Sequence, residues 1–165
     1  YGFPAAIGAQ FGNPDKRIFA ISGDGGVQMN IQEMATAVIN KLPITLVILN
    51  NGFLGNVRQW QQLFYHKRYA CTRLLGDDQP DIVTQDLIDS GDFHYVPDFV
   101  KLAEAYGAKG MRVTRKEDIE KAFKLADSHT EGPTVLEFII ETEINVLPMV
   151  PAGKSLHEML LVDKK

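Results

Sequence analysis

Three short runs keep an unbroken apolar character: residues 17–22 (RIFAIS), 44–49 (ITLVIL) and 134–140 (TVLEFII). Continuous β-branched and aliphatic runs of this length predict strands buried on both faces, as in a parallel sheet, rather than half-exposed strands with alternating polarity. Residues 111–113 make a fourth, weaker strand. The intervening segments carry helical period. Ile31, Met34, Ala35 and Val38 fall on one face, as do Phe99, Leu102, Ala103 and Tyr106, and then Ile119, Ala122, Phe123 and Ala126. Phe53, Val57, Trp60 and Phe64 share the same spacing. Asn30 with Glu33 and Thr114 with Glu117 are spaced as capping pairs, Pro97-Asp98 precedes the third helix, and Gly107 marks its stop.

Strand and helix in alternation imply βαβ units with right-handed crossovers, so the expected fold is α/β. It is a three-layer domain with a mainly parallel central sheet and helices on both faces. Ligands in such sheets sit at the carboxyl ends of the strands. Two regions break the rhythm. Residues 67–95 are polar and turn-rich and read as an inserted loop with one short helix at 82–87. Residues 144–165 hold two prolines and a short amphipathic end, and read as a tail. Neither an internal repeat nor a low-complexity tract is present.

The chain of 165 residues fits one domain. Its net charge of −4 supplies no basic footprint for a phosphate backbone, so nucleic acid is not an expected partner. No apolar run approaches the roughly 20 residues of a membrane-spanning helix, so no membrane partner is expected either. Cys71 is the single cysteine, which excludes an internal disulfide and fits a reducing, cytoplasmic setting. The chain opens on Tyr1 without an initiator Met or a signal-peptide pattern, and so reads as a piece of a larger subunit.

The candidate chemistry lies at two strand ends. The first run ends in Gly23-Asp24-Gly25-Gly26 before a helix, offering bare backbone N–H groups to an anion of diphosphate type. The spacing matches neither G-x-G-x-x-G nor the P-loop. Asp24 would repel a diphosphate unless a cation lay between them. The second run ends in Asn50-Asn51, and Asn51 follows Asp24 by 27 residues, the length of one helix plus one strand, so the two side-chain oxygens can converge. Mg²⁺ commonly takes one or two protein oxygens together with substrate phosphates. Read singly, Asp-Gly-Gly and Asn-Gly are ordinary turn sequences; both at strand ends with βαβ spacing favour the metal reading.

Gly-Asp-Gly, 24 residues, then Asn-Asn resembles the signature of thiamine diphosphate-dependent enzymes. The resemblance implies that Asp24, Asn51 and the carbonyl of Phe53 hold Mg²⁺ against the cofactor, with Gly23, Gly25, Gly26, Leu54 and Gly55 in the binding wall. "YGFPAAIGAQFGNPDKR", "GDGGVQMNIQEMATA", "LVILNNGFLGNVRQWQQLFY", "DFVKLAEAYGAKGMRV" and "NVLPMVPAGKSLHEML" are similar to the C-terminal cofactor-binding domain of acetolactate synthase large subunits. That family condenses two pyruvates, or pyruvate and 2-oxobutyrate, with loss of CO₂, in branched-chain amino acid synthesis. The resemblance implies a 2-oxoacid substrate, a homodimer or tetramer of large subunits, a small regulatory subunit, and FAD on a part of the protein outside this chain. It also puts the glutamate that activates the cofactor outside the chain, so that residues 1–165 alone are expected to be inactive. Sibling enzymes (pyruvate oxidase, glyoxylate carboligase, 2-oxoacid decarboxylase) and a non-catalytic binding module are the alternatives.

The resemblance further implies a substrate-channel wall at Asn56, Val57 and Trp60, with Asn56 replacing the family's usual Met; core packing is the competing reading for Trp60. Gln59, Gln61 and Gln62 read as a solvated helix face. The four histidines are too scattered for a zinc site. Cys71 has no nearby base. Asp77, Asp78, Asp81 and Asp86 lack calcium-loop spacing, and Lys154 is placed to pair with Glu158.

Overall fold

The computed structural model describes residues 1–76, 78–80, 82–94 and 96–161. A four-stranded sheet is built from β1 (Phe19–Gly23), β2 (Thr45–Asn50), β3 (Lys109–Val113) and β4 (Thr134–Ile139), in the order β1-β2-β4-β3 with every pairing parallel. α1 (Gly2–Gly12) precedes β1; parallel neighbours need crossovers, and these carry α2 (Asp24–Gln28), α3 (Glu33–Ile39), α4 (Gly55–Phe64), α5 (Gln85–Ser90), α6 (Phe99–Tyr106) and α7 (Ile119–Ser128).

The strand period divides the core in two. On one face Ala20, Leu46, Ile48 and Val135 pack against Phe3, Ala6 and Ile7 of α1, Met34 and Ala37 of α3, and Phe99 and Ala103 of α6. On the other, Leu136 and Val113 meet Ala122 and Ala126 of α7, with Met111, Phe123 and Phe138 around them. The central strands are buried on both faces, as continuous apolar runs require. The first run differs. β1 is an edge strand that α7 reaches only through Phe123 against Phe19, so Phe19 and Ile21 stay 47% and 69% exposed.

Local signals divide in the same way. Asp98 caps α6 by accepting the Lys101 N–H at 3.2 Å, and Gly107 ends that helix in the left-handed region at φ +85. The two expected capping pairs do not form: α3 starts from Gln32, the 3-10 turn Lys116–Asp118 precedes α7, and neither start has a side-chain cap. The helix expected at 82–87 lies at Gln85–Ser90, capped by the Thr84 hydroxyl, which accepts the Leu87 N–H. α1 is not marked by hydrophobic period, because Gly2, Gly8 and Gly12 dilute its pattern.

Residues 72–74 run antiparallel to residues 52–54: Leu54 N–H donates to Thr72 and Leu74 N–H to Gly52 at 2.7 and 2.8 Å. In the tail, Met149 and Leu160 form an antiparallel bridge, and Lys154 pairs with Glu158 at 2.9 Å as expected. Asp77 and Asp81 of the acidic group lie outside the described residues.

Ile48 is fully buried in a central strand. Replacing it with alanine is expected to destabilise the fold by about 2–5 kcal/mol. The shift should appear in the denaturant midpoint with little change in slope.

Candidate functional site

In the β1–β2 register Gly23 stands opposite Leu49, so Asp24 and residues 50–54 leave the sheet edge side by side. Gly23, Asp24, Gly25, Gly26, Asn51, Phe53, Leu54 and Gly55 all line one cleft of about 200 Å³, flanked by Leu49 and Ile140. The sequence-predicted diphosphate and metal residues are thus brought together. A Cβ on Gly25 would lie 2.6 Å from Leu54 Cδ2 and one on Gly26 2.7 Å from Ser22 Oγ, so a larger residue at either position would have to displace a neighbouring side chain. Gly52 adopts φ +71, and a Cβ there would also meet Leu75 at 2.8 Å.

Asp24 is 4% exposed. Its Oδ2 accepts the Gly52 N–H at 3.0 Å. Burial pushes its carboxyl up to about 6 and nearby Glu137 pushes the same way, while backbone N–H groups of Gly25, Asp24 and Gly52 oppose the rise. Among the described residues no cationic side chain pairs with it. Asn51 Oδ1 accepts the Phe53 N–H at 3.1 Å, an Asx turn that leaves the amide oxygen a second lone pair. A desolvated carboxylate without a counter-charge, a neighbouring amide oxygen and the Phe53 carbonyl are hard donors suited to Mg²⁺, beside glycine backbone suited to a diphosphate. The residues present therefore fit a magnesium diphosphate.

A polar group that the sequence reading passed over stands behind this loop. Glu137, fully buried on β4, accepts from Asn50 Nδ2 and from Arg112 Nε, both at 2.8 Å. Burial raises its carboxyl above the usual range, against the pull of Arg112 and Asn50. The signal was present: Glu137 is the one charge inside the apolar run 134–140.

On α4, Val57 and Trp60 line a separate groove of about 550 Å³ with Gln61, Tyr65, Arg68 and Tyr69. Trp60 is 44% exposed, so it is not a core residue. Asn56 is exposed and is not among the residues lining that groove. The expectation of a solvated glutamine face fails at Gln59, Gln61 and Gln62, the last half-buried with its Oε1 shielded from solvent. Gln59 is buried, with Oε1 accepting the Val146 N–H at 2.8 Å and Nε2 donating to the Val146 carbonyl at 2.9 Å. Gln61 bonds the N–H and the carbonyl of Ala70. Between them in the packing, Arg58 is buried against the rings of Phe53 and Tyr69 and reaches Glu143 at 3.7 Å. α4 thus fastens both the 70–72 segment and the stretch after β4.

Residues 1–138 match the family described as thiamine pyrophosphate enzyme, C-terminal TPP binding domain. The chain is 42% identical over 155 residues to an acetolactate synthase large subunit of Corynebacterium glutamicum, covering 94% of this chain and 22% of that protein. It is 40% identical over 160 residues to the acetolactate synthase isozyme 2 large subunit of Escherichia coli, covering 97% and 26%. Among solved structures, the thiamine diphosphate-dependent 4-hydroxybenzoylformate decarboxylase of Rhodococcus jostii superposes with a TM-score of 0.67 at 30% identity, over 86% of this chain and 23% of that one. The chain spans about a quarter of the length of these relatives.

Asp24 carries a stability consequence of its own. A carboxyl raised by burial stabilises the fold only while protonated, so that contribution is present below about pH 4 and lost as pH rises through about 6. With divalent cations chelated at pH 8, Asp24→Asn is expected to stabilise the protein by up to about 3 kcal/mol and to flatten its decline between pH 4 and 6. A thermal melt series would check this; a lower midpoint for the variant at pH 8 would contradict it.

Proposed function

The chain belongs to the thiamine pyrophosphate enzymes, as their C-terminal TPP-binding domain, and from that premise we propose that it is the diphosphate-holding part of an acetolactate synthase large subunit. The observation that carries the reading is the buried Asp24 carboxylate, uncompensated by any cationic side chain among the described residues, in a glycine-lined cleft. Identity of 39–42% to acetolactate synthase large subunits supports the choice of enzyme.

In this reading residues 1–165 form one cofactor domain, with 67–95 as an insertion and 144–165 as a tail. Asp24, Asn51 and the Phe53 carbonyl hold Mg²⁺, and the backbone of Gly25 and Gly26 approaches the diphosphate. The anionic Asp24 contributes the charge that makes a cation bridge favourable, while Leu54 and Ile140 give the cleft apolar flanks. Bound thiamine diphosphate supplies a carbanion nucleophile and an electron sink for decarboxylating a 2-oxoacid. Val57 and Trp60 wall the path of the second ketoacid, with Asn56 at its margin. The whole protein works as a homodimer or tetramer in the cytoplasm, with FAD on another domain and a small regulatory subunit as partner; residues 1–165 alone have no activity. Likeness to the Rhodococcus decarboxylase supports a second reading, a 2-oxoacid decarboxylase, at lower identity.

Full-length protein given pyruvate, Mg²⁺ and thiamine diphosphate is expected to form acetolactate. Release of aldehyde, acetyl phosphate or tartronate semialdehyde instead would move it to a sibling activity. Asp24→Ala removes the one anionic ligand proposed for Mg²⁺, so Mg²⁺-dependent turnover should fall by about a hundredfold or more.

A further inference from the structure

The geometry points to Glu137 and Asn50 as positioning residues that set the metal loop, Glu137 acting from the adjacent strand β4 through Asn50; the inference rests on the metal reading proposed above. Asn50 Nδ2 donates to Glu137 Oε1 at 2.8 Å, and Asn50 Oδ1 accepts the Gly52 N–H at 3.0 Å. That same N–H donates to Asp24 Oδ2, also at 3.0 Å. A carboxylate only accepts and a backbone N–H only donates, so the Asn50 amide has a single orientation that serves both. The other oxygen of Glu137 accepts from Arg112 Nε at 2.8 Å, and Arg112 Nη2 reaches the Asp98 carboxylate at 2.7 Å. A continuous polar path therefore runs from the cap of α6 through β3, β4 and β2 to Asp24.

Its sense is fixed throughout. Glu137 must present two acceptors, one to each neighbour, and glutamine can present only one. Glu137→Gln therefore sets an NH₂ against either Arg112 or Asn50, and Asn50→Asp sets a carboxylate against Glu137. Each change disturbs the amide that holds Gly52, and with it the peptide leading to the Phe53 carbonyl. The double variant reverses the polarity and satisfies every group. At position 137 the new amide oxygen would face Arg112 and its NH₂ would donate to position 50, where the new carboxylate would also accept from Gly52. Total charge is unchanged.

The test is a calorimetric titration of Mg²⁺ into full-length protein at fixed thiamine diphosphate, with the melting temperature in EDTA recorded beside it. Each single variant is expected to weaken Mg²⁺ tenfold or more, about 1.4 kcal/mol, and the swapped pair to return within about threefold of the parent. Single variants that bind Mg²⁺ like the parent overturn the inference, as does a swapped pair that folds but binds weakly or that fails to fold. Should a single variant not fold, the pair carries the test alone. A parent protein that binds no Mg²⁺ with the cofactor, or whose affinity Asp24→Ala leaves intact, would instead refute the metal reading itself.

Discussion

Everything at the sheet edge answers to one buried, uncompensated charge. Asp24 sits where β1 ends, shielded from water and met by backbone N–H groups but by no cationic side chain among the described residues. Isolated, such a group costs free energy; beside a divalent cation and a diphosphate it becomes the favourable member of a charge sandwich. Gly23, Gly25 and Gly26 beside it line the same cleft with bare backbone. Above the pH at which it ionises, Asp24 makes the fold less stable than it could be.

The parallel sheet turns this local arrangement into a site. Adjacent β1 and β2 release their chains at one level, so a carboxylate and an amide 27 residues apart become neighbours without any long loop. α4 then starts at Gly55 directly after the loop that follows β2, and its buried face grips two other segments through Arg58, Gln59 and Gln61. The cleft is lined by the first residue of α4, Gly55, and the separate Trp60 groove by residues further along the same helix.

Much of this was legible from residues alone. Continuous apolar runs identified β2 and β4 because central parallel strands have no solvent face, and period 3.6 identified α3, α6 and α7. β1 was harder to place. Its composition is that of a central strand, yet it lies at an edge with Ile21 exposed, because burial depends on what packs beside a strand and not on the strand's own residues. The glutamines of α4 were misread for a related reason. An amide that bonds a main chain looks, in sequence, like one that bonds water. Asp24 and Asn51 stood out as oxygens at strand ends, whereas Glu137 acts through Asn50 and shows its meaning only once β4 lies beside β2.

The grip of Gln59 on Val146 bears on how such a sequence can drift. Its amide reads one N–H and one carbonyl of the same residue, two groups that every amino acid except proline offers. The side chain of Val146, 77% exposed, takes no part. Position 146 is thus anchored in space while free in identity. Over generations substitutions can accumulate there with the path of the tail preserved, whereas at position 59 the same freedom would release it.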